Sequence, residues 1–342
     1  MHVVFRNIFL TLFFFILLTS CSQQSTKPGH SEWRAYNSGL SDNVSVLVID
    51  HSQSSPHVLY IGTFTGIYKR ESTGDWTSVQ NGLPLQHISA VAVHPRNSDH
   101  VYCGTWGRGL YRSRDGGNSW ENIWPGTASP HIAHISLTGA DYRGLWIGTE
   151  NGIFYSSDRG DNWQHVMDSG SIKTIKVHPM NPDIIYAGVD IKGNFKSTDG
   201  GQTWNRINNG VHTTGESTAA ANTFVIHEQL NSTLFMSTGW VDVYKSVNAG
   251  NSWIKTGDLL TEMSVQDLIQ DPVSPDRYWA ATQYQGVYIS DNGAVSWQAI
   301  NGGLPQDTGT DIRIHDLEYD SQNGRVLYAG LNSYGIYRYV LE

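Results

Sequence analysis

Apolar and polar residues alternate along most of this chain in short runs, and the runs recur in a fixed order. One cycle starts with Ile88-Ser89-Ala90-Val91-Ala92-Val93, an alternating strand that ends at His94-Pro95. A short apolar strand closing on Gly-Thr follows, Val101 to Thr105. Next comes Gly109-Leu110-Tyr111-Arg112-Ser113, and the cycle ends on a strand led by Trp120. Gly, Asn and Asp clusters separate the runs, and no helical period competes with this two-residue alternation. The third segments begin at Gly66, Gly109, Gly152, Gly193, Asp242, Gly286 and Gly335, 41 to 49 residues apart. That spacing is the length of a four-stranded propeller blade. Trp strands begin at Trp33, Trp76, Trp120, Trp163, Trp204, Trp253 and Trp297. The last unit stops at Tyr339-Val340-Leu341-Glu342, before any Trp strand, while Trp33 to Leu40 reads like Trp76 to Leu83. The pattern therefore predicts an all-β, seven-bladed β-propeller over 33–342, closed by the N-terminal strand completing the last blade.

Within the cycle one stretch is nearly literal. Ser113-Arg114-Asp115-Gly116-Gly117-Asn118-Ser119-Trp120 recurs at Ser156 to Trp163 around Asp158 and at Ser197 to Trp204 around Asp199. Looser copies place Asn248 and Asn292 at the Asp position, and a shortened copy runs from Arg70 to Trp76. Asp or Asn beside Gly favours a tight turn that bonds its own backbone, Ser adds a second short-range bond, and Trp covers the turn. Because Asp115, Asp158 and Asp199 recur with Trp120, Trp163 and Trp204 in successive units, they read as structural rather than catalytic. This S-x-D-x-G-x-x-W pattern resembles the Asp box of BNR-like β-propellers.

The N-terminus reads differently. Arg6 precedes an apolar run, Ile8 to Leu18, that is too short for a membrane span and ends in Leu18-Thr19-Ser20-Cys21. These residues resemble a bacterial lipobox, which implies a signal peptide over 1–20, lipidation at Cys21 and a tether over 21–32. The tether reaches about 35 Å at ~3.3 Å per residue. Ser22 in place of Asp implies, by the same resemblance, an outer-membrane destination facing the periplasm or the cell surface. An acylated cysteine anchors without spanning. The other of the two cysteines, Cys103, sits in an apolar strand and is expected to be buried. A formal net charge of −9 disfavours nucleic acid, which wants basic clusters, and no arginine cluster is visible in the sequence. No phosphate loop or metal motif is legible. His94, His178, His51 and His227 read as turn residues, and no cofactor is expected.

The resemblance to propellers implies that a ligand meets the face made by the second-to-third-strand loops and the connections between blades. Five of those loops carry an aromatic: Phe64, Trp106, Trp240, Tyr284 and Tyr334. Two others carry Glu150 and Asp190, with Asp242 after Trp240, and Arg108 and Lys192 are the basic members. Two connections are long, 208–222 with His212 and Glu216, and 301–311 with Asp311. Long loops on one face are recognition elements or lids. The aromatics fit protein contact, sugar stacking or filling of the central channel. Glu150, Asp190, Asp242 and Asp311 are the candidates for the carboxylate pair a glycoside hydrolase needs.

The repeat resembles those of xyloglucanases, sortilin-type propellers and single-propeller proteins of the photosystem II stability/assembly-factor type. The first resemblance implies glycoside hydrolysis or carbohydrate binding on the acidic and aromatic loop face. The last implies a non-catalytic envelope scaffold that grips another envelope protein, and a single ring without an evident catalytic set favours it. Membrane contact would then be through the lipid anchor only.

Overall fold

The computed structural model describes residues 32–40, 44–49, 58–71, 74–124, 126, 130–139, 141–239, 243–257, 264–305, 313–320 and 325–341. Cys21, His51, Trp240, Asp242 and Asp311 lie outside the described residues.

Each repeat folds into one four-stranded antiparallel sheet, and seven such sheets form a ring. The inner strands are Val44–Ile49, Ile88–Val93, Ile132–Thr138, Ile172–Val177, Ala221–Ile226, Val265–Gln270 and Ile314–Asp320, in blades 1 to 7. The order in blade 7 is Ile314–Asp320, Val326–Leu331, Gly335–Val340 and then Arg34–Ala35. Arg34 pairs with Arg338 and Ala35 with Tyr337, so the N-terminal strand closes the ring as the repeat predicts. Closure leaves no unpaired edge between first and last blades.

Apolar residues fill the gaps between blades. Seven buried clusters succeed one another around the ring, each shared by neighbouring blades. Cys103 lies in one of them, wholly buried, and burial pushes its thiol pKa up. The tryptophans fasten the blades. Trp33, Trp76, Trp120, Trp163 and Trp253 donate Nε1–H to carbonyls of the preceding outer strand, at Ile300, Tyr36, Val79, Ile123 and Ile207. Asn-x-Gly turns after three outer strands, from Asn37, Asn208 and Asn301, add to the seam. At Gly210 and Gly303, both with φ near +87°, an added Cβ would meet the carbonyl oxygen of Trp253 at 2.1 Å and of Trp33 at 2.2 Å.

The Ser-x-Asp turns are closed by their own side chains. Asp158 Oδ1 accepts from Ser156 Oγ at 2.8 Å and from Asn162 N at 2.8 Å, while Asn162 Nδ2 donates to Oδ2 at 2.7 Å. Asn248 makes the same contacts with Ser246 and Ser252 in blade 5, its amide donating where the carboxylate accepts. Bonds from the side chain and backbone of residue 162 hold Asp158 down to about 2, and those from Thr203 do the same for Asp199. The depressed value means that these bonds favour the ionised form, and their contribution is lost as pH falls from about 4 through about 2. Asp158→Asn is expected to leave the thermal midpoint nearly unchanged at pH 7, because blades 5 and 6 already use Asn. Asp158→Ala should lower it clearly. Equal melting curves for both variants would contradict the capping role.

On the same side, where the inner strands turn back, His94 Nδ1 accepts from Arg96 N, His178 Nδ1 from Met180 N and His227 Nδ1 from Gln229 N, at 3.1 to 3.2 Å. Asp271 Oδ1 takes this place in blade 6, accepting from Val273 N at 2.8 Å. These histidines cap turns.

Candidate functional site

Polar side chains in or just after several outer strands fix loops on the other face. Asn37 Nδ2 donates to Tyr334 O at 2.8 Å, Asn208 Nδ2 to Lys192 O at 3.3 Å and Asn301 Nδ2 to Gln285 O at 2.8 Å. In blade 3 His165 Nε2 meets Asn151 O at 3.2 Å.

On this fixed rim the aromatics of blades 1 and 2 form a row with two histidines that the sequence did not single out. Phe64 stacks on His87 with centroids 4.4 Å apart, His87 lies parallel to Trp106 at 5.6 Å, and Trp106 meets His131 at 3.9 Å. The row crosses two blade boundaries because His87 and His131 lead into the inner strands of blades 2 and 3. Trp106 is 56% exposed and Phe64 41%. Arg108 is exposed two residues on. Tyr284, 46% exposed, lies under the Arg313 guanidinium, 5.3 Å from its centroid, and Tyr334 packs half-buried against the blade 6–7 core. The described rings are thus split among three places, and the Phe64–Trp106 row brings two exposed candidate rings together.

Of the candidate acids, Glu150 and Asp190 lie among the described residues. Glu150 is exposed, and Asp190 is held by Lys173 Nζ at 3.2 Å. The long connection at 208–222 contains a small hairpin, Thr213–Thr214 with Ser217–Thr218, that lies against blade 4 through Thr218 N to Ile191 O at 2.9 Å. His212 Nε2 meets Thr214 Oγ1 at 3.0 Å, and Glu216 is exposed at the hairpin tip.

The buried acids lie elsewhere. Every inner strand carries a β-bulge at its start, as between Ile132 and His134, Val265 and Asp267, and Ile314 and Asp316. A bulge turns two successive side chains toward the same side. Gln266 with Asp267, and His315 with Asp316, consequently line one cavity of about 340 Å³ in the loop-face half of the channel, with Ser89, His134, Lys173, Asn222 and Glu318. Leu317 N lies 3.1 Å from Asp267 Oδ2 and 3.1 Å from Asp316 Oδ1, and the two carboxyl groups are hydrogen-bonded to each other. Desolvation and the charge of Glu318 push the Asp267 carboxyl up against the pull of the backbone bonds. Burial also lowers Lys176, which faces Glu318 and Asp267 deeper in the channel, and brings His134 down to about 4. His315 is lowered by burial and by Arg313 and His87.

On the Ser-x-Asp side, Arg112, Arg114, Arg143 and Arg159 converge with His100 around a cavity of about 80 Å³. The sequence shows no arginine cluster because these residues come from two blades. Glu121 and Asp161 neutralise much of it, bonding Arg112 at 2.8 and 2.9 Å. Among the described residues no group of three His, Cys, Asp or Glu is placed to hold a metal ion.

No protein-family model matches the chain. A probable oligoxyloglucan-reducing end-specific xyloglucanase of Neosartorya fischeri is 26% identical over 57% of this chain and 28% of its own. A xyloglucanase of Hypocrea jecorina is 24% identical over 76% of this chain and 37% of its own. The chain thus spans about a third of the length of these curated relatives. Among solved structures, the GH74 xyloglucanase of Xanthomonas campestris superposes with a TM-score of 0.68 at 17% identity, over 90% of this chain and 53% of that one. YCF48 bound to D1 peptide superposes with a TM-score of 0.65 at 17% identity, over 91% of this chain and 97% of that one. These likenesses show the seven-bladed fold, shared by a xyloglucanase and by a peptide-bound protein.

Proposed function

We propose that this chain is a non-catalytic, lipid-anchored envelope propeller that holds another envelope protein on its loop face. The observation that carries the reading is the exposed Phe64–His87–Trp106–His131 row. Aromatic rings held rigid by stacking lose little entropy on contact and are the usual anchors of protein interfaces. Among the described candidate acids, Glu150 is exposed and Asp190 is paired with Lys173. YCF48, which matches nearly end to end, was solved with a peptide bound. Lipidation at Cys21 and an outer-membrane location belong to this proposal, resting on Leu18 to Cys21.

Trp106→Ala is expected to weaken partner capture from solubilised envelopes about tenfold or more. Its folding stability should stay within about 0.5 kcal/mol of the parent, because the ring is exposed. Unchanged capture by Trp106→Ala and Phe64→Ala together would rule out this face.

The second reading, carbohydrate binding or glycoside hydrolysis, is favoured by the two xyloglucanase relatives. A flat exposed Trp also suits a sugar ring. Binding or turnover of xyloglucan oligosaccharides that Trp106→Ala abolishes would establish it over the scaffold reading.

A further inference from the structure

Large apolar side chains stand exposed on the Ser-x-Asp side of blades 4 to 7. Met180, Leu230 and Val273 occupy the turns after the inner strands of blades 4, 5 and 6. Val247 and Val295 belong to the Ser-x-Asp turns of blades 5 and 6, and Val340 ends the third strand of blade 7. All are 50 to 77% exposed. Hydrogen bonds join the turns that carry them. His178 Nε2 meets Asn231 O at 3.4 Å between blades 4 and 5, and Glu228 N donates to Gln270 Oε1 at 3.2 Å between blades 5 and 6. Within blades 5 and 6, Ala249 N donates to Ser232 O and Gly293 N to Asp276 O, both at 2.8 Å, which ties each inner turn to the Ser-x-Asp turn beside it. The turns themselves do not need apolar side chains. Blade 2 closes the same turns with Arg96 where blade 4 has Met180, and with Asn118 where blade 6 has Val295. An exposed apolar patch that the fold does not require marks a surface that something else covers.

The point where the chain enters the ring indicates what that is. Arg34 pairs with Arg338 in the register in which Glu121 pairs with Arg112, so Trp33 stands where Trp120 does, directly after the place of a Ser-x-Asp turn. Glu32 and Val340 both lie two residues beyond the Arg34–Arg338 pair, so the chain joins the propeller on the Ser-x-Asp side, next to the apolar patch. We infer, on the reading that Cys21 carries the lipid, that the Ser-x-Asp side of blades 4 to 7 rests on the bilayer. Its apolar side chains enter the headgroup region, and the loop face points away. A tether that reaches about 35 Å keeps this side within range of the membrane. Apolar side chains held at a bilayer surface settle at the boundary of headgroups and acyl chains. Charge contributes little, since Asp199 and Asp291 stand on the same turns and do not attract anionic headgroups. Membrane contact is then not confined to the anchor, and the Trp106 row is presented to partners beyond the membrane surface.

Fluorescence quenching tests this on the full chain, reconstituted in vesicles of phosphatidylethanolamine and phosphatidylglycerol that contain a nitroxide-labelled lipid. Cys103 is wholly buried and an acylated Cys21 has no thiol, so a dye attaches only to a cysteine introduced at the surface. Loss of emission from dyes at Met180→Cys and Val273→Cys, with emission retained at Glu150→Cys on the loop face, is the expected result. The loss should persist at about 1 M salt, where charges are screened beyond about 3 Å. Leu230→Asp combined with Val295→Asp should restore emission at Met180→Cys, because a carboxylate resists transfer out of water. Emission retained at both turn positions, quenching at Glu150→Cys instead, or quenching at Met180→Cys that survives the two Asp substitutions overturns the inference. A dimer in detergent that Val273→Asp dissociates also overturns it, since a second copy would then cover the patch. Mass spectrometry of the same sample reads the acyl groups on Cys21 and so separates a missing anchor from a patch that does not touch lipid. If the anchor is missing, the same dyes in a Cys21→Ser background still decide the patch.

Discussion

Replacing Trp33 by Ala is expected to cost about 3–5 kcal/mol of folding stability, the range for deleting a large buried aromatic. Trp33 is 2% exposed and packs among Trp279, Leu304, Leu317 and Leu327, with its ring 5.3 Å from that of Tyr339. Its Nε1–H bonds Ile300 O at 2.6 Å, and its backbone N–H bonds Gly302 O at 2.8 Å. Those contacts reach back to blade 6, while Arg34 and Ala35 pair with blade 7. A strand more than 260 residues away in sequence thus closes the ring at this point. Trp204 serves as control, because its Nε1–H bonds Gly201 O within its own hairpin. Urea unfolding of Trp33→Ala should show the larger drop in midpoint. A smaller loss than in Trp204→Ala would mean that closure contributes less than an ordinary seam.

Acidification should destabilise the protein between pH 6.5 and 4, and His134 is the principal reason. Its value is about 4 in the folded chain against 6.5 in the unfolded, through burial in the channel wall and the nearby Lys176 charge. A depressed folded value means that the unfolded state takes up the proton more readily. The stabilisation is complete above about pH 6.5 and is lost as pH falls toward 4. The residue is half-buried, so solvent screening holds the expected loss to about 2 kcal/mol. His131 and His315 are lowered in the same direction. Asp267 has the opposite sign. Its raised value contributes stability at low pH that is lost as pH rises through the folded value, so Asp267→Asn should stabilise the protein at pH 7 and do little at pH 4. Urea midpoints at pH 7 and 4.5 check both. A His134→Gln variant with the same pH dependence as the parent would show that the channel histidine is not responsible.

The repeat made the fold legible. A two-residue alternation, Gly at left-handed turns and Trp at a fixed offset are local requirements of a hairpin, and each blade must meet them separately. Seven Trp strands and a last blade missing one were enough to place Trp33 beside residues near the C-terminus. The exposed aromatics Phe64, Trp106 and Tyr284 were legible as well, because they occupy second-to-third-strand loops whose face follows from the fold. His87 and His131 were not, since their role comes from stacking across a blade boundary rather than from any spacing along the chain. The same holds for Arg112, Arg114, Arg143 and Arg159, which two blades contribute to one place.

The buried acids show where the alternation itself breaks down. Val265-Gln266-Asp267-Leu268 and Ile314-His315-Asp316-Leu317 do not alternate, because the bulge at the start of each inner strand sends two neighbouring side chains into the channel. By itself, the sequence determined seven four-stranded blades, their closure by Trp33 and the loops that carry exposed rings. These depend on short-range hydrogen bonding and on apolar faces repeated in each unit. Which side chains meet across blades was decided by the tertiary structure alone. The Phe64–Trp106 row, the Lys173–Asp190 pair and the Asp267–Asp316 pair exist because ring closure brings inner strands and rims side by side, and a bulge rotates their side chains inward.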